Sequence, residues 1–325
     1  MLHGSTEGYT GITGERTYNE RMTEPVEWLA EPGLTRPMLL SAFGGWGDAS
    51  DAATGAVRWL ISHWEGKRIA RIRPDDFFDF TVARPTVRLE EGGQRAIVWP
   101  TIDVYAVDSG DGRPELLLMY GREPHLHWPD FAAAVVEIAR RCSVVRCMSL
   151  GAFFGPVLHS APVALTGYAS EPELVQRLGE AGAVLSTYEG PTGITSALHD
   201  AFRNAGIPSA SLWAAVPFYL GSLRPNPRAT HALLHGLSRA VGLDVELGRL
   251  RQAADYFDEQ IERQVRDNKE LQELIERLGS QLGEATAMSE ATERAREFTG
   301  ELPSAESIIK DLEDFLRGRQ TEGPE

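Results

Sequence analysis

The stretch PMLLSAFGGWGDASDAAT, residues 37–54, decides the fold. Residues 37–43 form an unbroken apolar run of strand length, with no polar residue on every second position. A strand covered on both faces has that pattern, and a strand with one wet face does not. Gly44, Gly45 and Gly47, around Trp46, interrupt the run. Asp48 and Asp51 then open an Ala-rich segment that reads as a helix to about residue 63. Asp48 is suited to cap that helix, and Asp51 to lie against its positive end. A buried strand, a glycine loop and a helix in that order are the opening of an α/β unit.

The same alternation continues outward. Shorter β-type pieces at 86–89 and 96–99 are separated by a Glu-Gly-Gly turn signal. ELLLMY at 115–120 reads as a second buried strand. A helical period over 130–141 leads into a β-type run at 144–150, which ends at Gly151. Residues 171–181 read as a helix and 183–188 as a strand halting at Gly190-Pro-Thr-Gly193. A helix over 194–204, a strand over 209–216 and a helix over 227–241 complete the series. Glycine at nearly every strand exit predicts an α/β domain whose largely parallel sheet is covered by helices on both faces. The expected organisation is a lead-in over 1–24, the α/β domain over 25–243 and an all-helical extension over 244–325.

In that extension apolar residues recur at Leu250, Ala254, Phe257, Ile261, Leu271, Ile275, Leu278 and Leu282. Gln264 and Asn268 fall on the same seam. The steps of four and three are coiled-coil spacing over about five heptads. A second helix is predicted over 304–317. The arm either folds back on its own domain or clasps another subunit.

Net charge is −15, and two thirds of the excess, −10, lies from residue 243 onward. An acidic chain repels phosphate backbones, which argues against nucleic acid as a partner. No run of 18 apolar residues suggests a membrane span, and the first 24 residues carry no apolar signal core. Two cysteines, Cys142 and Cys147, in apolar surroundings fit a reducing compartment, so a cytoplasmic location is expected.

Chemistry-bearing patterns are sparse. The Gly44–Trp46–Asp48 loop could present backbone N–H groups to an anion. It lacks the Lys-Ser/Thr of a phosphate loop, and Asp48 and Asp51 would repel a phosphate. A capped structural turn and a binding loop both remain open. The loop Gly190, Thr192, Gly193, Thr195 is a second candidate, with hydroxyls and no carboxylate after Glu189. His159, following Gly151, is the histidine best placed for a polar site. His231 and His235 share a helix face, but no third ligand is evident, so no metal is expected. No nucleophile elbow occurs, and burial should keep both thiols protonated. No cofactor is expected.

Three segments, 37–54, GPTGITSALH at 190–199 and ASLWAAVPFYLGSLRPNPRAT at 210–230, resemble the proteasome assembly chaperone 2 family in its bacterial, actinobacterial-type branch. Trp99-Pro100, GREP at 121–124 and Leu150-Gly151-Ala152 occur in matching order. The resemblance implies a phosphorylase/hydrolase-like sheet and a role in protein assembly. It also implies homo-oligomers, a trimer ahead of a dimer, with proteasome subunits among the possible partners. The leading expectation is a non-enzymatic assembly or scaffold protein. The alternative is a small-molecule binder or enzyme of nucleoside-phosphorylase-like fold. Its pocket would lie where Gly44–Asp48, Gly151 and the 190–195 loop gather at one sheet edge.

Overall fold

The computed structural model describes residues 24–108 and 115–294, with side chains to residue 283. The strands are β1 (Val26–Trp28), β2 (Met38–Gly44), β3 (Lys67–Ile72), β4 (Thr86–Leu89), β5 (Arg95–Val98), β6 (Ile102–Val107), β7 (Leu116–Arg122), β8 (Arg146–Gly155), β9 (Leu165–Ala169), β10 (Ala183–Leu185) and β11 (Ser209–Pro217). The helices are α1 (Ala52–His63), α2 (Trp128–Arg141), α3 (Pro172–Glu180), α4 (Ile194–Asn204), α5 (Pro227–Val241), α6 (Gly248–Asp267) and α7 (Lys269–Arg294).

Nine strands form one sheet in the order β1-β3-β6-β7-β2-β8-β11-β9-β10, and β4 and β5 form a separate hairpin. The run β7-β2-β8-β11 is parallel. The flanks depart from the expected largely parallel sheet. β1, β3 and β6 join antiparallel on one side, and β9 pairs antiparallel with β11 on the other. The sheet is therefore mixed.

Burial follows from the strand pleat. On β2, Met38, Leu40 and Ala42 point into one core with α1, α3 and α5, while Leu39 and Phe43 enter a second core with α2 and α4. Two apolar layers, one per face, explain why the run 37–43 lacks alternation. Helix α1 buries Ala52, Ala53, Ala56, Val57 and Leu60, and its small residues let it lie close to the sheet. Gly55 lets α5 approach α1, because a Cβ there would lie 3.1 Å from Thr230 Oγ1. That hydroxyl donates to the Ala52 carbonyl at 3.1 Å.

After β11 the described chain is helical apart from short connections. Two compact units divide at Asp267 and Asn268. Within the first, α6 packs on α5 and buries Leu250, Ala254 and Ile261. The apolar seam is not one continuous helix as the spacing suggests. Asn268 separates α6 from α7, and its Oδ1 accepts the Leu271 N–H at 3.1 Å. An Asn that caps a new helix ends the old one. The helix expected at 304–317 and the lead-in up to residue 23 lie outside the described residues.

Candidate functional site

The glycine loop after β2 folds around a carboxylate. Asp48 is buried, 3% exposed. Its Oδ1 accepts the N–H groups of Ala53 (2.7 Å) and Thr54 (3.2 Å), and its Oδ2 accepts the Thr54 hydroxyl at 2.5 Å. These amides belong to the first turn of α1, whose donors have no partner inside the helix. Asp48 therefore does the work of a cap from three residues before the N-cap position. Asp51 occupies that position in a left-handed conformation, makes no side-chain cap, and pairs with Arg224 at 3.7 Å. Ser50 is left-handed too, at φ 52°. Two consecutive left-handed residues are costly, so the surrounding contacts must hold them. Burial raises the Asp48 carboxyl above its ordinary range, against the opposing pull of its hydrogen bonds to Thr54 and Ala53.

The second candidate loop lies beside the first. Gly44 O accepts the Glu123 N–H at 2.8 Å, and Glu123 Oε1 accepts the Ile194 N–H at 2.7 Å. A Cβ on Gly193 would come within 2.6 Å of Glu123 Oε1 and 3.5 Å of Trp46. Glu123, at the end of β7, thus joins the exits of β2 and β7 to the start of α4. Thr192 and Thr195 do not cap that helix. Thr192 bonds Ser196 through their hydroxyls, and the cap of α4 is the distant Glu123. The route to this meeting is not a buried parallel strand. β10 is a three-residue edge strand antiparallel to the sheet centre, with Val184 exposed. The eight residues after it carry the chain to the edge where α4 begins.

Gly151 serves a neighbouring ring. In register across β8 and β11, it faces Trp213, and a Cβ on Gly151 would sit 2.2 Å from the indole. Gly47 lies against the same ring, which a Cβ there would approach to 3.1 Å. The close approach of Trp213 requires glycine at 151 and leaves little room at 47. A parallel bridge between Asp48 and Ala152, with Ala152 N–H donating to Gly47 O at 2.9 Å, ties the loop to the exit of β8.

His159 bonds to Tyr219 and to α6 rather than to these loops. Its Nδ1 and backbone N–H both lie 2.8 Å from the Tyr219 hydroxyl, and its Nε2 lies 3.4 Å from Glu262 on α6. Arg228 adds a link from α5 to Asp258 on α6 at 3.3 Å and donates to Ala161 O at 2.6 Å. His159 therefore helps fasten α6 to its own domain. The crevice beside it, lined by Leu158, Pro217 and Phe257 among others, has about 20 Å³ of free space. That holds little more than one water molecule.

Around the joined loops the surface is aromatic. Trp46 is 64% exposed, and Tyr188 and Phe153 are also open to solvent. Strand alternation puts Phe153 on the same face as Gly151, and Trp213, in register with Gly151, shares that face. Sequence reading singled out the two loops and Gly151 but not Glu123, Trp213 or the buried His199. His199 Nδ1 lies 2.9 Å from the Ser209 hydroxyl. The signal for Glu123 is a carboxylate just past a strand exit, facing a helix start that has no acidic or Asn cap of its own. No helix among the described residues is long and apolar enough to cross a membrane.

These features define a three-layered mixed α/β protein with glycine loops and aromatic side chains gathered at the carboxyl edge of its parallel strands. Residues 42–265 match the PAC2 family. A PAC2 family protein from Streptomyces avermitilis is 37% identical, with a TM-score of 0.67, over 74% of this chain and 99% of its own. A Mycobacterium tuberculosis proteasome-assembly chaperone homologue is 32% identical, with a TM-score of 0.66, over 73% of this chain and 99% of its own. A Pyrococcus furiosus archaeal proteasome activator, 15% identical with a TM-score of 0.59 over 74% of this chain and 98% of its own, shares the fold. Comparison with functionally curated proteins gives no match. The chain belongs to the PAC2 family.

Proposed function

We propose that the protein is a non-enzymatic assembly factor that self-associates and receives protein partners at the aromatic carboxyl edge of its sheet. The observation that carries this reading is the exposed set Trp46, Phe153 and Tyr188 around a rigidly bonded loop junction. Large exposed aromatics on a fixed backbone are the usual anchors of protein interfaces. The polar groups at the junction point inward. Asp48 and Glu123 are spent on the first turns of α1 and α4, which favours a structural turn over a ligand cradle in the 44–51 loop. Membership of the PAC2 family, and similarity to a proteasome-assembly chaperone homologue, make proteasome subunits the first partners to test.

The test is binding of the purified full chain to purified proteasome α-subunits, read by size-exclusion chromatography with light scattering. Trp46→Ala and Phe153→Ala leave the core untouched and should weaken a complex at least tenfold. Complex formation unchanged by both substitutions would overturn the assignment of this edge. A wild-type chain that forms no complex with these subunits would overturn the proteasomal partner.

A further inference from the structure

We draw no further inference here: the strongest candidate, the exposed apolar stripe of Val87, Leu89 and Ile97 on the β4–β5 hairpin, carries nothing because no observation in the structure shows what covers it.

Discussion

Replacing Asp48 by alanine should cost the protein about 2 kcal/mol. The side chain makes three hydrogen bonds, at 2.7, 3.2 and 2.5 Å, to two amides and one hydroxyl. At roughly 0.5–1.5 kcal/mol each, their sum is about 3 kcal/mol. Alanine also relieves the burial of a carboxylate, which returns part of that sum. For a domain of this size the melting temperature should fall by about 4–8 °C. Asp48→Asn separates the two contributions, because an amide can still accept from the helix and donate to Thr54. Since the folded pKa lies above the ordinary value of 3.8, the folded state holds this proton more tightly than the unfolded chain. The contribution of Asp48 to stability therefore falls as pH rises from below 3.8 through the folded pKa. The Asn variant should gain on the wild type over that rise. Urea unfolding of wild type, Asp48→Ala and Asp48→Asn at pH 4 and pH 7 measures all three quantities. An alanine loss below about 0.5 kcal/mol, or a wild type that gains on Asn as pH rises, would refute the reasoning.

Three further outcomes follow from the same structure. Gly151→Ala should destabilise by about 1–3 kcal/mol or more, since the new Cβ lies 2.2 Å from the Trp213 ring, and Trp213→Leu in the same chain should recover much of the loss in denaturant melts. Glu123→Ala should cost about 1–2 kcal/mol and speed amide exchange at Ile194, whereas Glu123→Gln, which keeps the acceptor, should do neither. His199 titrates near 4 because burial disfavours its charge, so the unfolded chain binds its proton first as pH falls from 6.5. Stability should drop by about 3 kcal/mol between pH 6.5 and 4, and His199→Gln should lack that component of the pH profile.

The central strands were legible because burial on both faces writes itself as unbroken apolar runs, as at 37–43 and 115–120. The antiparallel flanks were not. β6 alternates buried Ile102 and Val104 with half-exposed Asp103 and Tyr105, and a search for continuous runs passes over it. β1 has three residues, too few for either period to show, and the strand expected over 183–188 forms only over Ala183–Leu185, at the sheet's edge. The candidate site divides along the same line. Its backbone was readable, since glycine marks the exits of β2 and β8, and so was the meeting of the 44–51 and 190–195 loops. The reason for that meeting was not readable. A rule that gathers parallel strand exits at one edge cannot apply to β10, which runs antiparallel to the sheet centre. What joins the loops is Glu123, 71 residues from its partner Ile194. A single carboxylate used as a remote cap leaves no local spacing to detect. Asp48 does the same over a shorter range, serving α1 from outside its N-cap. Helices α1 and α4 thus depend on acids held outside them. That dependence favours a structural reading of the two loops: Gly45, Gly47 and Gly193 give the backbone room beside Glu123, Trp213 and Trp46, and the acids occupy the helix starts where an anion would otherwise sit. On the function proposed above, the exposed aromatic side chains are the part of this edge that receives a partner.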